Sequence, residues 1–485
     1  EGDGSLQAGA AAVAITPDPE TEEDPIWMAG FGLGREATGI HDDQWVRVVA
    51  LRHNETTVVT GAIDCVGYFY DEVLKIREMV SDLDVDYVHI SATHVHEARD
   101  TLGIWGPDLS TTGVDPEYMA FIREQAAEAI RQAVDDLRPA NVQYASFRLR
   151  DAPGGVHRYI GDNRDPKIVD DEVRVMRFPE AEGDGTIATL VNLGSHPEYA
   201  GSSNTLLSSD YPHWIRDGIE NGAEGPDGAM AEGVGGVAIF VPGALGGQIG
   251  PNHIEPEQWD GAAVPEGDFG EPEVVGSQIA WLVLDALGPD GGSVTDDTAA
   301  IGYRNVSFLV DVENRRYHSA IVGELFYDRE TYNWDDTMPL RPDRNEPDLK
   351  TEVALIDIGR AQLLSVPGEL HPELFIGGYD GEHTPEGHEI IDPDNPNPPE
   401  LSEAPGPPYL KDRARDDAEH VWLLGLGNDM LGYLMPEYNF VLGPGVPYLA
   451  EAEGDHYEET NSVGESGWPT IERQLHELME WTPEE

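Results

Sequence analysis

The sequence predicts an α/β protein, with mixed β-sheets layered between helices on the outside. Three observations predict it. Short apolar, β-branched runs alternate with stretches of helical periodicity along the chain. Residues 56–65, 71–83 and 86–92 follow one another as strand, helix and strand, the order that covers a sheet with helices. Glycine-bearing loops follow the buried strands, where sites collect in sheet proteins.

The elements follow in order. Residues 8–15 form a buried strand stopped by Thr16-Pro17, and residues 27–39 a glycine-rich loop. Residues 45–52 and 56–65 are apolar runs broken by His53-Asn54-Glu55, which reads as a hairpin. Val73, Leu74, Ile76, Val80 and Leu83 recur at helical spacing. Asp115-Pro116 opens a long helix reaching residue 137, with Asp as cap and Pro in the first turn. Residues 142–149, 172–178, 187–193 and 236–241 are strands. Asp210 caps a helix running to residue 219, and residues 274–287 are helical. Residues 290–297 are Gly, Ser, Thr and Asp with one Val, the best candidate for an internal subdivision near 290–298. Strands return at 300–312, in a hairpin of 353–358 and 361–366, and at 421–426. Residues 380–408 are rich in proline, glycine and acid and read as an exposed insertion. Residues 470–481 form a closing amphipathic helix.

Composition narrows the function. The chain of 485 residues carries 93 acidic and 29 basic side chains, a formal charge of −64. A nucleic-acid partner needs the opposite sign, and so does an anionic lipid surface. The acids are spread along the chain, the pattern of a folded protein with an acidic surface, and the reading is a halophilic, high-salt setting. There the Debye length falls to about 3 Å at 1 M and self-repulsion is screened. A single cysteine, Cys65, excludes an intramolecular disulfide and a cysteine-rich zinc site. No run of 18 apolar residues occurs, so no membrane-spanning segment is expected. The chain opens Glu1-Gly2-Asp3 without methionine, which reads as a trimmed product or fragment. The expected location is extracytoplasmic or secreted, with the signal segment not in this sequence.

Chemistry gathers first at Thr93-His94-Val95-His96. Strand side chains repeat every two residues, so His94 and His96 leave on one face at a strand's end. Neutral imidazole is the commonest metal ligand. A zinc site then needs further N, O or S ligands and an open position. Comparable loops occur at Gly194-Ser195-His196-Pro197, Val366-Pro367-Gly368-Glu369 and Gly432-Tyr433, with Asp455-His456-Tyr457-Glu458 further on. Each of these residues also has an ordinary structural use: Glu369 can answer a helix dipole, Tyr433 can pack in a core, and Arg164 can pair with one of many acids.

In this order the motifs resemble the neutral/alkaline, non-lysosomal ceramidase family. Ile15-Thr16-Pro17, Gly39-Ile40-His41-Asp42, Ile63-Asp64, Thr93-His94-Val95-His96, Asn163-Arg164-Asp165-Pro166, Ser208-Ser209-Asp210, Gly250-Pro251-Asn252, Val366-Pro367-Gly368-Glu369 and His456-Tyr457-Glu458 carry the likeness over most of the chain. The resemblance implies an α/β/β/α sandwich and one large zinc hydrolase domain over residues 1–485, without the family's carboxy-terminal immunoglobulin-like domain. It implies a zinc amidohydrolase that cleaves an N-acyl amide, ceramide-like or of another N-acyl lipid, with a metal-activated water. One Zn²⁺ would be held by His94, His196, Glu369 and Tyr433. His96 would relay a proton, and Arg164 and Tyr457 would face the scissile carbonyl. Asp64, Asp210 or Asn252 would orient ligands from behind. The implied partner is a small amphipathic or amide substrate.

The chain departs from the family in three places. Glu97-Ala98-Arg99 follows the histidine pair where the family has Ser-Gly-Pro, which makes Glu97 an alternative base. Gly250 replaces a serine, and the interval from Tyr433 to Tyr457 holds a Gly-Pro-rich insertion. These changes leave open a metal-dependent hydrolase of another ester or amide. A non-catalytic, secreted acidic protein that keeps only the fold is the remaining alternative.

Overall fold

The computed structural model describes residues 4–250, 252, 254–264, 269–341 and 344–480. Most strands belong to three sheets. The first runs, in spatial order, Tyr87–Ala92, Thr56–Ile63, Trp45–His53, Leu6–Ala14 and Arg138–Pro139. The second runs Val237–Pro242, Thr186–Leu193, Glu172–Pro179, Val142–Arg148 and Val294–Asp296. The third runs Ile301–Asp311, Asp348–Ile358, Ala361–Ser365 and His420–Leu424.

Period-two burial explains why these strands read as continuous apolar runs. In the first sheet Val46, Val48 and Ala50 pack under the helices Tyr70–Met79 and Pro116–Asp135, through Val73, Ile76, Met119, Ile122 and Ile130. Their neighbours Val49 and Leu51 point the other way. There they meet Met176, Phe178 and Leu190 of the second sheet and Ala354, Ile356 and Trp422 of the third. The second sheet turns Val173, Val175 and Val191 toward the helices Tyr211–Asn221 and Gly270–Leu287. The third turns Val353 and Leu355 toward Ile471 and Leu475 of the helix Gly467–Glu480. The central strands of each sheet are thus buried on both faces, between helices outside and a shared apolar layer inside. This is the mixed α/β architecture expected from the sequence.

Local signals hold where capping chemistry is present. The Asp115 carboxylate accepts from the Glu117 backbone N–H at 2.8 Å, and Pro116 opens the long helix. Asp210 likewise accepts from Tyr211 N at 2.7 Å. The helix expected to reach residue 83 ends at Met79, because the chain turns at Ser81, whose hydroxyl bonds the Glu78 carbonyl at 2.7 Å. Residues 290–297 do not form a bare connection: Val294–Asp296 pairs antiparallel with Val142–Arg148 and extends the second sheet. The insertion 380–408 is largely exposed, but it lies against the Arg164 loop, with Asn395 Nδ2 donating to Asp165 Oδ2 at 2.8 Å. Pro251 of the Gly250-Pro251-Asn252 motif and Trp481 of the closing helix lie outside the described residues.

Parallel pairs set the position of the site. Thr56–Ile63 pairs parallel with Tyr87–Ala92, Thr186–Leu193 with Val237–Pro242, and Ala361–Ser365 with His420–Leu424. The motif loops leave from the carboxyl ends of these strands, where parallel sheets place their sites. Cross-links join the ends. Ser91 bridges to Gly427, and Asn428 N donates to the Ile90 carbonyl at 2.7 Å. Gly427 is required at this crossing, because a Cβ there would lie 2.1 Å from Ser365 Oγ.

Candidate metal centre

His94, His196 and Glu369 converge although they are far apart in sequence. One ligand atom from each lies within 4.8 Å of the others, and all three side chains are buried. His94 Nε2 is 3.3 Å and His196 Nε2 3.0 Å from the same carboxylate oxygen, Glu369 Oε2. Each comes from a different sheet. His94 follows Tyr87–Ala92, His196 follows Thr186–Leu193, and Glu369 begins a short parallel ladder with Tyr433 after Ala361–Ser365. His94 takes a left-handed backbone, φ 69°, which a non-glycine residue rarely adopts. Its N–H is held by the Cys65 carbonyl at 2.9 Å.

The second nitrogens of both rings are spoken for. His94 Nδ1 donates to the Val66 carbonyl at 2.5 Å, and His196 Nδ1 to the Gln248 carbonyl at 3.0 Å. A carbonyl only accepts, so the proton sits on Nδ1 in each ring. The neutral rings then aim two Nε2 lone pairs at a carboxylate oxygen about 3 Å away. Three lone pairs facing inward repel unless a proton or a cation lies among them. The donor set N, N, O with fixed tautomers therefore fits a divalent metal ion. Without one the cluster shares protons. Burial would raise the Glu369 carboxyl, but His94 and His196 hold it well below the ordinary carboxylate range. Burial would lower His94, and Glu369 outweighs it and raises the ring.

Tyr433 Oη is 3.3 Å from His196 Nε2 and 3.3 Å from Tyr457 Oη. Both phenols are pushed well above their ordinary range, by burial first and then by nearby carboxylates. His96 sits beside the cluster, its ring centroid 5.0 Å from that of His94 and 5.9 Å from that of His196. Its basicity is depressed by burial and then by the two neighbouring imidazoles.

The structure places other expected residues elsewhere. Asp64 does not orient a ligand histidine: both its oxygens pair with Arg216 at 3.0 Å. Asp210 accepts from Tyr211 N and from Ala200 N, capping its helix and fixing the loop after His196. Backbone carbonyls do the work expected of these two acids. Asn252 is exposed. Glu97 is fully buried, but it lies with Asp210, Arg35, Glu198 and Asp42 rather than against the three ligands. Burial, then Asp210, push its carboxyl well above the ordinary range. Arg164 is buried with its guanidinium engaged by acids: Nη1 is 2.7 Å from Glu458 Oε2, and Nη2 is 2.8 Å from Glu459 Oε1. Nη2 also donates to the Asn439 carbonyl. Arg164 therefore anchors the segment that carries Tyr457 at 457–461.

One residue of the site escaped the sequence reading. Glu198, two positions after His196, is 5% exposed and places Oε2 at 2.9 Å from His96 Nδ1. Burial pushes its carboxyl up to about 7. The signal was a carboxylate close behind a candidate ligand, lost among 93 acidic residues.

The chain matches a crystal structure of neutral ceramidase from Pseudomonas aeruginosa with a TM-score of 0.65 at 15% identity, over 99% of this chain and 74% of that one. The fold is that of the neutral ceramidases. A ceramidase complexed with C2 matches equally well, with a TM-score of 0.65 at 14% identity, over 98% of this chain and 75% of that one. No family model and no curated protein sequence matches the chain. The likeness to ceramidases shown by these comparisons is one of fold.

Proposed function

We propose that the chain is a zinc-dependent amidohydrolase of neutral ceramidase type, which hydrolyses an N-acyl amide of a ceramide-like or other N-acyl lipid. One observation carries the reading: two Nε2 atoms and one carboxylate oxygen converge at the strand ends of a ceramidase-like fold, with both ring tautomers fixed. An ion held by His94, His196 and Glu369, with Tyr433 beside it, supplies Lewis acidity and a water of lowered pKa.

The remaining roles belong to side chains. In this reading Tyr433 is the fourth ligand and Tyr457, whose hydroxyl lies 3.3 Å from that of Tyr433, donates to an oxyanion forming near the cluster, an effect typically worth about 3–4 kcal/mol per donor. In this reading His96, beside the cluster, takes a proton during attack and returns it to the leaving nitrogen. Arg164 acts at one remove, by holding the Tyr457 segment against its own buried acids. The acidic composition supports a high-salt setting. Among the described residues no helix is long and apolar enough to cross a membrane.

A second reading has its own support. The buried acid Glu198 beside His96 suits a polar amide or ester better than a long-chain lipid. One experiment addresses both. The purified chain, loaded with zinc in molar salt, is assayed against N-acyl sphingosines, N-acyl amino acids and small esters. Turnover confined to N-acyl lipids, abolished by chelator and by His94→Ala, supports the first reading. Turnover of polar amides or esters alone supports the second. Full turnover by His94→Ala rejects both.

A further inference from the structure

We propose that the cleft between the helix Tyr70–Met79 and the segment 323–334 is a binding site for a small methylated ammonium compound. The cleft has a volume of about 650 Å³, within the range of small-molecule sites. Asp71, Leu74 and Lys75 line one wall, and their spacing puts them on one face of the helix. Phe326, Glu330 and Trp334 line it from the other segment. Glu324 and Asp328 line it too, at sharp turns with left-handed φ of 54° and 48°.

Charge and ring chemistry select the ligand. Four carboxylates border the cleft, against the two bases Lys75 and Arg329. Both bases are already engaged. Lys75 Nζ lies 2.5 Å from Glu72 Oε1 and also meets Asp328. The Arg329 side chain is fully buried, with Nη1 2.9 Å from Asp71 Oδ2 and Nη2 2.7 Å from Asp429 Oδ2. These pairings leave the exposed carboxylates of Glu324 and Glu330 to the cleft. An anion is thereby refused and a cation accepted. Phe326, Trp334 and Leu74 add apolar surface beside those acids. Aromatic rings attract a methylated ammonium, which has few or no N–H bonds to water to give up. The acidic surface as a whole does not make this selection: at 1 M salt the Debye length is about 3 Å, so only groups in contact with the ligand act.

The floor of the cleft is fixed and stands outside the metal centre. Arg329 lies over the Phe69 ring at 5.0 Å, and Asp429 accepts from Tyr70 N at 3.0 Å and from Met430 N at 2.8 Å. No residue lining the cleft belongs to the His94, His196 and Glu369 cluster. The site therefore goes beyond the amidohydrolase reading and is tested without turnover.

The probe is radiolabelled choline, in equilibrium dialysis against the full zinc-loaded chain in molar sodium chloride. Saturable binding at one site is expected, displaced by tetramethylammonium. It should not be displaced by the neutral isostere in which a tert-butyl group replaces the trimethylammonium. Trp334→Ala should weaken binding by about 5-fold or more. The surface variant carrying Glu324→Gln and Glu330→Gln should weaken it as well, and serves if Trp334→Ala does not fold. Absence of saturable binding overturns the proposal. Equal competition by the neutral isostere overturns it too, as does unchanged affinity in the double glutamine variant. Flotation with phosphatidylcholine vesicles separates the two sources of this chemistry. Choline bound without vesicle flotation assigns a free solute; flotation lost on addition of choline assigns a lipid headgroup.

Discussion

Glu369 and Tyr433 are direct partners in a parallel ladder of two residues on each strand, so the carboxylate and the phenol enter the site side by side. The ladder is held by Glu369 N donating to the Gly432 carbonyl at 3.0 Å. Position 432 is in turn confined: φ is +85°, and a Cβ there would lie 1.9 Å from the Asn461 carbonyl oxygen. Gly432→Ala is therefore expected to cost more than about 2 kcal/mol and to shift Tyr433 away from His196. Denaturant unfolding of the variant checks it; an unchanged midpoint would show that the loop gives way freely.

Removing one ligand should cost metal affinity before it costs the fold. Glu369→Gln keeps the shape but withdraws the negative charge that the two imidazoles face. A loss of well over about 10²-fold in zinc affinity is expected, since even the outer partners of ligands contribute 10–100-fold. Equilibrium dialysis with metal analysis measures it. Zinc retained at wild-type affinity would move the binding site elsewhere.

Arg164→Ala should act on stability as much as on turnover. It strands the buried acids Glu458 and Glu459, and breaking a buried pair typically costs about 3–5 kcal/mol. A direct oxyanion donor would instead lower kcat at unchanged stability. Thermal unfolding alongside kinetics separates the two outcomes.

Glu459 supplies a pH dependence with a defined sign. Burial would raise its carboxyl, but His456 at 2.9 Å and Arg164 bring it down to about 2 from 4.5. The folded state thus favours the ionised form. Its contribution, on the order of 3 kcal/mol, is fully present above 4.5 and is lost as pH falls from there toward 2. The stability gap between wild type and Glu459→Gln should be constant near neutrality and close across that window. A gap that widens on acidification would contradict the pairing.

Salt should stabilise the chain. At 0.1 M the Debye length is about 10 Å, and 93 acids against 29 bases repel across the surface; at 1 M it is about 3 Å. The unfolding midpoint should rise steeply between those concentrations with NaCl. A flat dependence would remove the case for a high-salt setting.

The architecture was legible because the central strands of each sheet are buried on both faces. Apolar runs such as 45–52 and 187–193 leave no other place for themselves. His94, His196 and Glu369 were legible because each stands just after such a run, within a motif whose company was informative. Their orienting partners were not. Val66 and Gln248 act through backbone carbonyls, which every residue carries, so no spacing announces them. Asp64 and Asp210 drew attention as acids near the motifs, yet Arg216 and a helix terminus claim them. The segment 290–297 read as a connection because Gly, Ser and Asp dominate it, whereas Val294 and Thr295 suffice for a short edge strand.

The three candidate ligands follow strands of three different sheets, so no single sheet carries the whole proposed binding site. Ion capture is thereby a reporter of finished assembly. A chain with only one sheet formed offers the ion a single ligand, and the affinity of the whole accrues to the native state alone. A refolding experiment followed by a metal-sensitive dye would time the moment at which the sheets lock together, and an ion present from the start would hold them there.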